Sequence, residues 1–156
     1  MHSNEMLIEK FYCSFKNLDA AGMASCYHSD IVFSDPVFGQ LTGADASLMW
    51  KMLCSRATDL KIIYADIHAD DTIGSAHWEA TYTFSKTGRR VQNVIEATFA
   101  FRDGSIITHD DRFNVWKWST MALGPTGLLL GWTPYLRTAI KKDARRGLEL
   151  FRQRQR

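Results

Sequence analysis

Three ionisable residues occupy positions from which a folded chain could transfer protons. Asp35 closes a short apolar run, residues 31–33, and precedes Pro36, which favours an extended backbone at the residue before it. His109 and Asp111 are separated by a single residue, Asp110, so in a strand both side chains point to the same face. An apolar setting raises the pKa of a carboxyl group, and histidine titrates near neutrality. Such residues are candidates for acid/base chemistry, which requires no metal and no organic cofactor, and neither is expected here.

Each of these residues also has a structural interpretation. An aspartate before proline commonly forms a turn, in which the carboxylate of Asp35 would accept hydrogen bonds from the backbone at Val37 and Phe38. His109 and Asp111 could equally form a buried pair that bonds Asp35 or a backbone group. The residue types alone leave the catalytic and the structural roles open.

The elements that position these residues are strands. After residue 59 the sequence alternates, which predicts four strands over 60–69, 75–85, 91–102 and 105–118. Asp103-Gly104 is the strongest hairpin signal between them.

The phase of the last predicted strand decides where the ionisable pair points. Turning Ile107, Phe113 and Val115 inward also turns His109 and Asp111 inward, where uncompensated polar groups are costly. The opposite face then carries Trp116 and Trp118. Two tryptophans on an outer face predict a partner surface, such as a homodimer built sheet to sheet.

Helical patterns surround this sheet. A helix is predicted over 5–18 with Ser3 or Asn4 as its cap, a short one from Asp19 to Cys26, and a third that a Thr42–Asp45 capping box opens and that ends near Ala57. Glycine and proline predict a loop over 119–134, and an amphipathic helix follows over 135–153. The pattern predicts one α+β domain, 1–156, with its core in 5–118. In it a cone-shaped, curled antiparallel sheet wraps on three N-terminal helices, and the amphipathic helix is added at the C-terminus.

Composition narrows the classes of partner. The formal net charge is +2, but eight of the 19 Lys and Arg residues lie in 137–156, which leaves the body of the chain slightly acidic. A nucleic-acid-binding protein is usually basic across its working face, so this chain is not expected to bind nucleic acid. No apolar run is long enough for a membrane span. No signal peptide is recognised, and the three cysteines suggest no disulfide framework, so a cytoplasmic location is expected.

The chain resembles the nuclear transport factor 2 superfamily, specifically a bacterial subgroup of its SnoaL-like and ketosteroid-isomerase-like branch. The opening helix and segments 27–33, 34–39 and 99–104 carry this resemblance. It implies that Asp35 matches the general base of ketosteroid isomerases. It also places Phe11 and Ala97 where those isomerases have their oxyanion donors, so steroid isomerisation by that mechanism is not expected.

The resemblance to this superfamily implies a ligand-sized pocket but no particular reaction, because the fold hosts isomerases, cyclases, hydrolases, dehydratases and binding proteins. The expected ligand is a small apolar carbonyl compound or polycyclic molecule, with proton transfer by Asp35, His109 and Asp111. The alternatives are a non-catalytic module that binds a hydrophobic ligand or a protein, and a structural dimer with a collapsed core. The residues expected to line the pocket are Phe11, Trp50, Trp78, Tyr82, Ala97, Phe99 and Phe113.

Overall fold

The computed structural model describes residues 1–156 as six helices and six strands. The helices are α1 (Ser3–Lys16), α2 (Ala20–Ser25), α3 (Ala44–Arg56), α4 (Val115–Leu123), α5 (Pro125–Leu130) and α6 (Pro134–Arg154). The strands are β1 (Tyr27–Asp35), β2 (Gly39–Thr42), β3 (Lys61–Ala69), β4 (Ile73–Phe84), β5 (Arg89–Arg102) and β6 (Ser105–Arg112).

The strands form one curled sheet in the order β2-β1-β6-β5-β4-β3. Strands β3 to β6 are the predicted antiparallel meander, and β2 pairs with β1 in the same way. Strand β1, however, runs parallel to β6. The sheet is therefore mixed rather than purely antiparallel, and it does not close on itself. The α+β cone predicted from the sequence is confirmed.

The concave face of the sheet is filled by the helices and by aromatic side chains. Helix α1 buries the face that contains Ile8, Phe11, Tyr12 and Phe15, as its periodicity predicts. Its cap is His2, which together with Glu5 forms a capping box, rather than the predicted Ser3 or Asn4.

Helix α3 begins differently from the sequence prediction. Gly43 occupies its N-cap with a φ of 55°, and no side chain caps the first turn. The Thr42–Asp45 capping box is therefore not formed. Thr42 is instead the last residue of β2, where it pairs with Val32 of β1.

The prediction that the last strand extends to residue 118 is wrong. Strand β6 ends at Arg112, and Asn114 caps α4 by accepting a hydrogen bond from the backbone N–H of Lys117 at 3.0 Å. The buried residues Val115, Trp118 and Ala122 recur at helical spacing, whereas a strand would place Val115 and Trp118 on opposite faces.

Trp116 and Trp118 consequently do not lie on the outer face of the sheet. The indole of Trp118 is buried and donates to Tyr82 Oη at 2.9 Å, and Trp116 donates to the carbonyl oxygen of Leu128 at 3.0 Å. Homodimerisation stays a prediction, but these two residues do not form the sheet surface proposed for it.

The predicted loop over 119–134 is largely helical. It contains the end of α4 and the whole of α5, which pack so closely that a Cβ atom on Gly127 would overlap the carbonyl of Ser119. Helix α4 packs on the sheet, where Trp118 and Ala122 contact Val91 of β5. The Thr87 hydroxyl donates to the carbonyl oxygen of Ala122 at 2.5 Å, which ties α4 to the β4–β5 turn.

The C-terminal helix agrees with its prediction to within one residue at each end. Leu148 and Phe151 of α6 join the main core, while its basic side chains face outward. Arg145 is an exception, because its guanidinium donates to the carbonyl oxygens of Phe38 and Gln40. None of the helices combines the length and the hydropathy that a membrane span requires.

Candidate functional site

Neighbouring strands bring the three predicted proton-transfer residues onto one face. The parallel β1–β6 pairing places Phe33 beside His109 and Ser34 beside Asp110, so that Asp35 continues next to Asp111. Phe33, His109 and Asp111 are all buried on the concave side, and Asp35 lies on the same side as Phe33. The side chains of His109 and Asp111 point inward, as the sequence predicts.

A bulge shifts the start of strand β6. The pairing with β5 slips between Ala100 and Phe101, and Ile106 rather than Ile107 becomes fully buried. The prediction that Ile107 points inward is thus wrong at that position. Val115, the other residue used to set the phase, belongs to α4.

His109 is sealed inside a cage of aromatic rings. Its side chain is fully buried, with the rings of Phe11, Phe33, Trp50 and Phe99 at centroid distances of 4.5–6.0 Å. Both ring nitrogens bond within the protein, because Nδ1 lies 2.8 Å from Tyr27 Oη and Nε2 lies 2.9 Å from Asp111 Oδ1. The imidazole therefore has no nitrogen free to reach a substrate directly.

One proton arrangement satisfies the whole buried network. The indole of Trp50 donates to Tyr27 Oη at 2.8 Å, and the Tyr27 hydroxyl then donates to His109 Nδ1. His109 Nε2 and the indole of Trp78 both donate to Asp111 Oδ1, the latter at 3.2 Å. A neutral imidazole beside an ionised carboxylate thus leaves no donor unused.

Asp111 keeps one oxygen outside this network. Its side chain is 3% exposed, and its Oδ1 atom accepts both hydrogen bonds. The Oδ2 atom accepts no hydrogen bond from the protein and is not completely enclosed by it. Two alanines of the concave face, Ala97 and Ala76, stand in the same row as Asp111 across β5 and β4.

Asp35 combines a turn with an unusual electrostatic setting. Its Oδ1 atom accepts from the backbone N–H groups of Val37 at 2.9 Å and Phe38 at 2.6 Å, which is the turn predicted as its structural role. Burial nevertheless raises the pKa of the carboxyl group to about 7. The backbone N–H donors oppose this rise, and the charges of Asp111 and Asp110 add to it. The Oδ2 atom again has no hydrogen-bond partner in the protein.

The side chains predicted to line a pocket fall into two groups. Phe11, Trp50, Trp78, Ala97 and Phe99 are buried in one continuous core around His109. Tyr82 and Phe113 are half-buried and contact both this core and the smaller cluster under α4.

Two surface depressions, of about 400 and 440 Å³, lie along the start of α6 and include none of these side chains. The first includes Pro36, the residue after Asp35, together with Val115 at the start of α4. No group of three or more His, Cys, Asp or Glu side chains is placed to hold a metal ion.

Several polar residues of the interior were not predicted from the sequence, among them Tyr12, Asn93 and Ser119. The hydroxyl of Tyr12 is fully buried without a hydrogen-bond partner. Asn93 is 8% exposed and points into the cone from β5. The alternation of Val91, Asn93 and Ile95 already indicates an inward amide, whereas no sequence signal distinguishes Tyr12 from an ordinary core tyrosine.

The fold has many relatives of known structure. An LEH-like epoxide hydrolase of M. tuberculosis is 18% identical, with 82% of this chain and 96% of that chain covered and a TM-score of 0.65. A putative polyketide cyclase from Pseudomonas putida is 17% identical over 78% and 98% of the two chains, with a TM-score of 0.64. A protein with a ketosteroid isomerase-like fold from Catenulispora acidiphila is 10% identical over 82% and 97%, with a TM-score of 0.67. At these identities the comparisons show the fold.

Sequence comparison identifies the family. No curated protein matches the sequence significantly. The model of the SnoaL-like domain matches residues 8–109, from the first turns of α1 to His109, which is more than half of the chain. The protein therefore belongs to the SnoaL-like domain family.

Proposed function

We propose that the protein is a cofactor-independent acid/base enzyme that transfers a proton on a small apolar carbonyl compound or a polycyclic substrate, with Asp35 as the proton carrier. One observation carries this proposal: a carboxyl group with a pKa of about 7 lies on the concave face beside a second carboxylate, Asp111. A group whose pKa is close to the working pH is the most effective general acid or base.

The proton is carried by the free oxygen of Asp35. Ionised Oδ2 removes a proton from a carbon next to the substrate carbonyl, and the electron pair of that C–H bond moves towards the carbonyl oxygen. The protonated carboxyl group then returns the proton to the same or to another carbon, so the enzyme ends unchanged. Isomerisation, cyclisation and elimination all share this first step.

His109 and Asp111 support the proton transfer indirectly. Because both nitrogens of His109 are engaged, it acts as a positioning residue that fixes Asp111. The charge of Asp111 in turn helps to keep the pKa of Asp35 high. This replaces the direct proton transfer by His109 that the sequence suggests.

The structural relatives favour an enzyme of this general kind. Among them are proteins called an epoxide hydrolase and a putative polyketide cyclase. Pro36, the residue after Asp35, lines one of the two surface depressions at the start of α6.

A non-catalytic binding protein is the second candidate. It is favoured by the turn hydrogen bonds of Asp35 and by the dense aromatic packing around His109. Under this alternative a ligand binds between helix α4 and the sheet, and no proton is transferred. A homodimer belongs to either alternative as a prediction.

Deuterium exchange distinguishes the two candidates. The probe is 2-tetralone, an apolar bicyclic ketone with exchangeable hydrogens next to its carbonyl, dissolved in D2O and followed by proton NMR. We expect the protein to accelerate exchange over buffer and Asp35→Asn to reduce that acceleration at least about a hundredfold. Asp30→Asn, an exposed carboxylate on the same strand, is the matched control and should change nothing.

Two results would contradict the proposal. Exchange no faster than in buffer would leave only the binding alternative, and so would an Asp35→Asn variant that is as fast as the unmodified protein. Binding of the ketone, measured by tryptophan fluorescence, should stay nearly unchanged in Asp35→Asn, which separates loss of chemistry from loss of the ligand.

A further inference from the structure

Asn93 is a buried amide that the protein leaves unpaired. Its side chain is 8% exposed and lies on the concave face of β5, between Val91 and Ile95. No backbone or side-chain group of the protein donates to its amide or accepts from it, although its polar atoms are not completely enclosed. Buried polar side chains are nearly always hydrogen-bonded, and an unpaired one costs stability. A leucine would fill the same volume without that cost.

The surroundings of Asn93 connect it to the proposed proton carrier. Directly opposite on β4 is Ala80, whose methyl group offers no hydrogen-bond partner to the amide. The next inward residue of β4 is Tyr82, which is therefore the diagonal neighbour of Asn93. The charge of Asp35 contributes to raising the pKa of the Tyr82 hydroxyl, after the larger effect of burial, so Asp35 is within electrostatic reach of this group.

The hydroxyl proton of Tyr82 is not used in any hydrogen bond within the protein. The Tyr82 oxygen accepts from the indole of Trp118 on α4 at 2.9 Å. The unpaired amide of Asn93, the unused hydroxyl proton of Tyr82 and the free Oδ2 of Asp35 thus belong to one region of the concave face, and Tyr82 joins this region to α4. These groups complement a ligand that presents an oxygen atom.

We propose that Asn93 is a ligand-binding residue, whose amide N–H donates to the carbonyl or hydroxyl oxygen of a compact apolar molecule held beneath α4. The inference rests on the proposed function in one respect: when the ligand is a ketone, the same hydrogen bond stabilises the enolate that forms when Asp35 removes the proton. It supplies the donor that Phe11 and Ala97 cannot provide. Binding itself requires no chemistry.

The test compares two probes that differ only in the oxygen. These are 2-tetralone and tetralin, which share the same ring skeleton, and affinities are measured by tryptophan fluorescence with NMR shifts as a second readout. We expect the unmodified protein to bind the ketone about five- to tenfold more tightly than the hydrocarbon. Asn93→Leu should abolish this preference while keeping the affinity for tetralin. Gln92→Leu removes the exposed amide of the adjacent residue and should keep the preference.

Each outcome decides between the inference and the proposed function. No preference for the ketone in the unmodified protein, or a preference that survives in Asn93→Leu, overturns the role of Asn93. A ketone preference that depends on Asn93, with no deuterium exchange, supports the inference and refutes the enzyme. Asn93→Ala, checked for native circular dichroism, repeats the test with a smaller residue in case leucine disturbs β5, and an unchanged preference in a folded Asn93→Ala protein also overturns the inference.

Discussion

The replacement Asp35→Asn should change the stability of the protein in a way that depends on pH. The folded-state pKa of Asp35 is raised from 3.8 to about 7, so the folded protein holds its proton through a range in which the unfolded chain has lost it. The unmodified protein therefore loses stability as pH rises from about 4 to about 7. Asparagine keeps the shape and can still accept from the N–H groups of Val37 and Phe38, but it has no proton to lose.

The size of the effect follows from the shift. About three pKa units correspond to ~4 kcal/mol, and partial solvent access to Asp35 reduces this to ~2–4 kcal/mol. The free energy of unfolding of Asp35→Asn minus that of the unmodified protein should be small and constant below about pH 4. It should rise by this amount up to about pH 8. Urea unfolding followed by circular dichroism across this range measures the difference directly.

The turn interpretation of Asp35 predicts the opposite sign. If the two backbone donors controlled the carboxyl group, its pKa would be lowered, and ionisation would stabilise the folded state as pH rises. The asparagine variant would then become relatively less stable towards neutral pH. A flat or falling difference would refute a raised pKa at Asp35.

Three further predictions concern packing. His109→Phe should lower the free energy of unfolding by ~3 kcal/mol, because it removes a hydrogen-bond donor to the buried carboxylate of Asp111. The double variant His109→Phe with Asp111→Leu should recover at least ~1 kcal/mol of this loss in a double-mutant cycle measured by urea unfolding, and additive losses would contradict this. Tyr12→Phe removes an unpaired buried hydroxyl and should raise stability by ~1 kcal/mol, so a clear loss would mean that the hydroxyl has a partner. Gly127→Ala should destabilise the protein by ~2 kcal/mol or more because its Cβ would overlap helix α4. Gly147→Ala in α6, whose Cβ would make only ordinary van der Waals contact with Arg56, should be neutral or stabilising in the same thermal-unfolding assay.

Much of the fold could be predicted because its signals are local. The helical spacing in α1, the alternation in β4 and β5, and the Asp103-Gly104 turn each depend on neighbours in sequence. The inward phase of His109 follows from the same alternation. Strand alternation also reveals Asn93, once the full length of β5 is considered.

The remaining features depend on tertiary contacts. A run from Phe113 to Trp118 satisfies strand and helix spacing alike, and only the capping of α4 by Asn114 and the packing of Trp118 on Tyr82 decide for a helix. The parallel pairing of β1 with β6 likewise joins segments far apart in sequence. The saturation of both nitrogens of His109 is visible only once Tyr27 and Asp111 are placed around it.

The proposed enzyme depends above all on Asp35 exchanging a proton with a bound substrate. The most direct test is the pH dependence of deuterium exchange into 2-tetralone at saturating protein. The rate with the unmodified protein should rise through an inflection near the pKa of Asp35, about 7, and Asp35→Asn should lose both the rate and the inflection. A profile without an inflection in this range, or one that persists in Asp35→Asn, would contradict proton transfer by Asp35.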